Sequence, residues 1–265
     1  MKRHLSVITI AALAAIAILA ASFPLRAAQT AQIIPVGTFL PVMLNTNLDS
    51  DKSKVGEKIE VKLRQDVDLP DRATLKTGSE LYGHIVSVKR GAPGAKAQVS
   101  FVIDHVKMNG KVYPITTSLR AAASMMAVYQ ARQPINPVAM DGSSVWDYNT
   151  RQIGGDIVYG RKDVRSGDGS VGMSPEPGAV IAVPRANPDA GCPAMDQKTL
   201  QSFWLFSTSA CGVYGDEDAD MQIARQPAGN KNGDITLTAP KRVLLRGGGG
   251  LLLVVEPQPA AQSVP

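Results

Sequence analysis

Residues 80–118 restrict the fold more than any other part of this chain, because their side-chain pattern predicts three consecutive antiparallel strands. Residues 81–89 and 98–106 are rich in β-branched side chains and alternate between apolar and polar, with Gly91, Pro93 and Gly94 between them. Asn109-Gly110 then supplies a two-residue turn into residues 111–118, since both residues tolerate the positive φ that such a turn demands. Centring the first hairpin between Gly94 and Ala95 pairs His84 with His105, Val86 with Ile103 and Val88 with Phe101. That register puts Tyr82, Val86, Val88, Phe101 and Ile103 on one apolar face, and a slip of one residue would turn each side chain over.

The flanking sequence extends the β reading. In residues 32–44, Pro35 and Gly37 suit a tight turn into an edge strand, where a missing N–H does little harm. In residues 58–67, Ile59, Val61 and Leu63 alternate with Lys58, Glu60, Lys62 and Arg64, the mark of a strand with one wet face. Residues 35–40 and 76–81 share a short pattern, a Gly and a small hydroxyl residue leading into a strand, and are read as two equivalent corners. Residues 235–237 and 243–245 are short strands. Residues 251–256 form an unbroken apolar run that calls for burial on both faces.

The expected fold class is therefore mainly β. A small antiparallel β-barrel or sandwich is built from residues 32–120 and 235–256 and interrupted by a loop-rich insertion at 121–234. Twenty-four Gly and eighteen Pro agree, because they suit turns and short strands better than long helices. Within the insertion, residues 121–131 predict a short helix that Pro134 and Pro137 stop. Residues 257–265 are expected to be a disordered tail.

Residues 1–28 set the expected address. Lys2, Arg3 and His4 precede an apolar run over residues 5–21, the pattern of a secretory signal, with an uncleaved membrane anchor as the competing reading. The rest of the chain holds 25 Lys and Arg against 23 Asp and Glu, so no nucleic-acid partner is indicated. The two cysteines, Cys192 and Cys211, are expected to form a disulfide, worth about 3 kcal/mol for a loop of this length. An exported chain of this kind is placed in the periplasm, at the outer membrane or outside the cell, touching membrane only through its signal or its partners.

No pattern points to catalysis. Gly167-Asp168-Gly169-Ser170-Val171-Gly172 matches a dinucleotide fingerprint as a string, but Pro175 and Pro177 forbid the helix that must follow it. Asp216, Asp218 and Asp220 could supply oxygen ligands to Ca²⁺, with a solvated acidic turn as the plainer reading. His84 and His105 could share a metal if the register above holds, although Asp104 is expected to point the other way. Phe203, Trp204, Phe206 and Tyr214 are read as the core of the insertion. The functional alternative has Trp146, Tyr148, Phe203 and Trp204 present an exposed platform to a glycan or peptide. No cofactor is expected, and no enzyme activity.

Residues 34–46, Leu48-Asp49-Ser50, Lys76-Thr77-Gly78-Ser79 and Leu81-Tyr82-Gly83 together resemble the C-terminal β-barrel domain of the TrbI-like family. A weaker likeness runs through residues 99–103, 109–111, 235–237 and 250–255. That family supplies scaffold and outer-membrane channel components of conjugation and type IV secretion. The resemblance implies a divergent exported relative: a non-catalytic cell-envelope protein with a structural or assembly role, whose partners are other envelope proteins or further copies of itself.

Overall fold

The computed structural model describes residues 33–135, 149–160, 162–193, 198–215, 220–224 and 233–258. The segment expected to be a secretory signal, residues 1–28, and the residues from 259 onward lie outside them. The chain is mainly β, organised by one ten-stranded sheet. In chain order the strands of that sheet and its borders are β1 (Phe39–Leu44), β2 (Leu48–Asp49), β3 (Lys58–Leu63), β4 (Val67–Asp68), β5 (Thr74–Leu75), β6 (Glu80–Lys89), β7 (Ala97–Met108), β8 (Lys111–Pro114) and β9 (Thr116–Ala123). The insertion follows with α1 (Met125–Gln130), β10 (Thr150–Arg151), β11 (Ile157–Tyr159), β12 (Asp163–Ser166), β13 (Gly169–Met173), β14 (Ile181–Ala182), β15 (Gln201–Ser202), β16 (Gly212–Tyr214) and β17 (Gln222–Ile223). The last three strands are β18 (Ile235–Ala239), β19 (Leu244–Leu245) and β20 (Gly250–Glu256).

The sheet runs β16-β9-β20-β1-β3-β6-β7-β18-β17, and β8 shares the second edge of β7 with β18. It is open, with β16 and β17 at its two ends, so the barrel alternative is not realised among the described residues. The main sheet also draws β16 and β17 from inside the insertion, and Ala121–Ala123 belong to β9. The expected helix accordingly starts later, at Met125. Ala121, Ala122 and Ala123 are fully buried and pair with both β20 and β16, and that pairing overrides alanine's helical preference. Ser124 caps α1 by accepting the Ala127 N–H at 3.1 Å.

Contrary to the sequence reading, β1 is an interior strand, between β20 and β3. Pro41 is tolerated there because its carbonyl, which accepts the Arg64 N–H at 3.0 Å, and its nitrogen face the same side, just past the last paired residue of β3. The two corners seen in sequence also recur. Four turns, at residues 35–38, 54–57, 76–79 and 246–249, each close with an N–H three residues after the accepting carbonyl and each lead into a strand. Their third residue is Gly37, Gly56, Gly78 or Gly248 at φ between 80° and 89°, the left-handed region that such a turn requires.

The hairpin of β6 and β7 is where the expected register fails. Its turn is Pro93-Gly94, and Val88 pairs with Val99, Ile85 with Phe101, His84 with Val102 and Tyr82 with His105. Val86 on β6 and Asp104 on β7 are left over as two bulges on opposite strands, which cancel each other's shift. The inward side is thus Leu81, Ile85, Val99, Phe101, Ile103 and Val106, while Tyr82 faces out under the Lys58 ammonium at 4.3 Å. Asn109 and Gly110, at φ 51° and 76°, turn the chain into β8 as expected.

Two cores meet on the central strands. Leu251, Leu253 and Val255 of β20 belong to the core under the main sheet, together with Leu40, Val42, Phe101 and Leu237. Leu252 and Val254 face the other way, into a second core with Phe39, Phe203, Trp204, Leu205 and Phe206. The residues expected to be loop-rich form a six-stranded antiparallel sheet in the order β10 to β15, and Val158, Val164 and Ala182 of that sheet share the second core. The lobe therefore supplies one of the two faces that β20 needs. Its strands escape detection because they are short and rich in Gly, Ser and Asp. The glycine string at 167–172 spans the turn, with Gly167 at φ 57°, and most of the second strand of the β12–β13 hairpin.

Cys192 and Cys211 are disulfide-bonded. Beside them, Arg120, at the bulge of β9, reaches out of the sheet and donates from Nε to the Ala210 carbonyl at 3.0 Å. Burial holds its guanidinium below the ordinary arginine value. Among the described residues no helix is long and apolar enough to cross a membrane.

Candidate functional site

Arg64 is the first residue beyond β3, at the point where the main sheet meets the lobe. Gln65 beside it is buried and staples the two together. Its Nε2 donates to the Val180 carbonyl at 3.1 Å, while its Oε1 accepts the N–H of Val180 at 3.1 Å and of Trp204 at 2.6 Å. Trp204 sits at φ 53°, a backbone region costly for a tryptophan, and the bond to Gln65 holds it there. At the end of α1, the Arg132 N–H donates to Tyr129 O at 3.2 Å, closing the turn that brings Arg132 up to the same indole.

These elements border a cleft of about 530 Å³. The guanidinium carbons of Arg64 and Arg132 lie 5.7 Å and 5.6 Å from the Trp204 ring centroid. Neither arginine has a carboxylate within ion-pair distance among the described residues, although Glu176 stands on the rim. Desolvation, and then the charge of Arg64, hold Arg132 below the ordinary arginine value. The wall also contains two side-chain atoms left without a hydrogen-bond partner, Arg64 Nε and Gln152 Oε1. Ala131, Val158, Ala179 and Leu205 give the cleft an apolar lining. Two like charges held together without a counter-ion are a cost to folding, and an arrangement that attracts an anion.

The cleft was not visible in sequence. Arg64 ends an alternating strand and Arg132 follows a short helix, and neither position carries a motif that marks it.

The chain matches no family model, no curated protein and no solved structure.

The residues singled out from sequence are distributed as follows. Phe203 and Trp204 are buried, 0% and 4% exposed, so they serve the core between sheet and lobe and offer no open platform. Trp146 and Tyr148 lie outside the described residues, as do Asp216 and Asp218, while Asp220 is exposed. His84 and His105 are not paired across the hairpin. They nevertheless converge on Asp104, which the bulge turns outward between them: His105 Nδ1 lies 2.6 Å from Asp104 Oδ1, and His84 Nδ1 lies 3.6 Å from Asp104 Oδ2. The expectation that Asp104 points away is corrected by that bulge. Both histidines turn the same ring nitrogen to one carboxylate, and among the described residues no group of three or more His, Cys, Asp or Glu is placed to hold a metal ion. Nearby, Tyr82 donates to Glu80, a bond that pushes its phenol up to about 12.

A second polar cluster joins the ends of the frame. Asp49 is 4% exposed and receives a forked contact from Arg242, with Nε to Oδ1 at 2.9 Å, while its Oδ1 also accepts the Asp51 N–H at 2.9 Å. Ser50 adds a backbone bond to Val243 O at 2.9 Å and accepts the Val243 N–H on Oγ at 3.1 Å. Leu48-Asp49-Ser50 thus locks β2 to β19, tying together residues 193 apart in the chain.

Proposed function

We propose that this chain is an exported, non-catalytic cell-envelope protein with a structural or assembly role, a divergent relative of the TrbI-like barrel domain. The observation that supports it is the build of the molecule: a disulfide-bonded lobe covers one face of an open sheet and shares a core with it. Such a bond suits an oxidising compartment. The residues that carry the resemblance, Pro35 to Gly37, Leu48 to Ser50 and Lys76 to Ser79, shape corners and ties of the frame. Fractionation of cells expressing a tagged full-length chain, followed by crosslinking and capture, tests the role. Recovery in the envelope with a reproducible envelope partner supports it, and recovery in the cytosol overturns it.

A second reading, that the protein is a binding module, is favoured by the cleft of Arg64 and Arg132 over Trp204. It replaces the exposed-platform version, since Trp204 is covered. A binding cleft carries its two cations at some expense to stability, so Arg132→Gln leaves the melting temperature unchanged or raises it. A loss of more than about 1 kcal/mol, the scale of a cation–π contact, would make Arg132 a packing element and sink this reading.

A further inference from the structure

We infer that the cleft between the main sheet and the lobe binds a carboxylate-bearing small ligand, held between the guanidinium groups of Arg64 and Arg132. The inference rests on reading the cleft as a binding site and names the chemistry of what it takes. Three observations select that chemistry. The two guanidinium groups are near enough to one ring, at 5.7 Å and 5.6 Å from the Trp204 centroid, to share one anion, and each offers a planar fork matched to two oxygens. Neither forms an ion pair with a carboxylate of the described residues, so both charges can serve an external anion. The remaining walls decide between anions. Ala131, Val158, Ala179 and Leu205 present aliphatic surface, and Glu176 adds a negative charge at the rim. That combination penalises a strongly hydrated phosphate dianion more than a monoanion carried on a partly aliphatic body.

A cleft of about 530 Å³ suits one or two residues of a peptide, or a single sugar acid. Both present the same carboxylate chemistry, and the experiment separates them. The signal-free, disulfide-intact protein is titrated calorimetrically with N-acetyl-alanyl-alanine, the same dipeptide as its C-terminal amide, glucuronate and inorganic phosphate. Saturable binding by the free-acid dipeptide or by glucuronate is expected, whichever binds identifying the source. Affinity should fall at least tenfold in Arg132→Gln and stay unchanged in Lys111→Gln, on the β7–β8 hairpin. For the dipeptide, it should also fall at least tenfold on amidation.

Arg132 is on the surface, and a circular dichroism spectrum matching the parent confirms that its variant is folded. Arg64→Lys provides a second test, because it keeps the charge but loses the fork, and is expected to weaken binding. Failure of both carboxylates to bind overturns the inference, as does equal binding by the amide or indifference to Arg132. Phosphate binding more tightly than either, with the same dependence on Arg132, would overturn the carboxylate assignment while leaving the cleft a binding site.

Discussion

The side-chain oxygen of Gln65 accepts the backbone N–H of Trp204 at 2.6 Å, joining two residues 139 positions apart. The same amide group accepts from Val180 N and donates to Val180 O, so one glutamine fills three backbone positions of the lobe. Gln65→Ala leaves the N–H groups of Val180 and Trp204 buried without partners, while the Val180 carbonyl keeps the Phe203 N–H at 2.8 Å, and frees a tryptophan from its left-handed backbone. The expected loss is about 3 kcal/mol in urea unfolding, with Trp204 fluorescence shifted toward that of an exposed indole. A loss below about 1 kcal/mol would show that the lobe is held mainly by its apolar contacts.

Gly83 is the residue that lets the β7 bulge form. A Cβ at that position would stand 1.7 Å from the Val102 carbonyl oxygen, and that atom belongs to the paired backbone. Gly83→Ala must therefore push the strands apart or remove the bulge, and a loss of at least about 3 kcal/mol is expected. Removing the bulge would also turn Asp104 away from His84 and His105. Histidine side-chain NMR shifts altered at both rings, in whatever folded fraction remains, would report it.

The regular parts of this architecture could be read from the sequence because they follow simple periodicities. The alternation of Ile59, Val61 and Leu63 placed β3 correctly, and the continuous run at 251–255 implied burial on both faces. Bulges break that logic. The turn at Pro93-Gly94 moves the whole register by two residues from that of a turn between Gly94 and Ala95, and between the bulges at Val86 and Asp104 it moves by one more, so counting from the wrong turn mispairs the histidines. The six-stranded lobe sheet was hidden for a different reason. Strands such as Gly169–Met173 carry few apolar side chains, and their pairing is supported by the main sheet they lie on. The cleft is the extreme case. It exists only because Gln65 and α1 carry residues 64, 132 and 204 to one place.

Asp49 makes stability depend on acid. The forked bond to Arg242, helped by the Asp51 N–H and opposed by burial, holds its carboxyl below the ordinary 3.8. A carboxyl lowered on folding contributes stability that is complete above its unfolded value and fades as pH falls through the folded value. Stability should thus be flat near neutrality and drop below about pH 4, with Asp49→Asn weakening the drop and costing about 2 kcal/mol at pH 7. Unfolding midpoints measured from pH 7 to pH 2 check both; an identical acid slope in Asp49→Asn would assign the loss to other carboxylates.

The Cys192–Cys211 bond closes a loop with a sequence separation of 19. Reduction, or replacement of both cysteines by serine, is expected to cost about 3 kcal/mol. The effect should centre on the lobe. Hydrogen exchange in residues 185–211 should accelerate more than in β6 and β7, whereas uniform acceleration would mean that lobe and sheet unfold as one unit.

The position of β20 has a temporal consequence. Within the described sheet, β9 and β16 reach the rest of the ladder only through β20, which is also the only described partner of β1 besides β3. Until residues 250–256 arrive, the β6–β7 hairpin and its neighbours can form, but the sheet remains in two pieces and the lobe lacks Leu252 and Val254 to pack on. A chain synthesised from its N-terminus thus postpones the joining of its sheet to the last described strand.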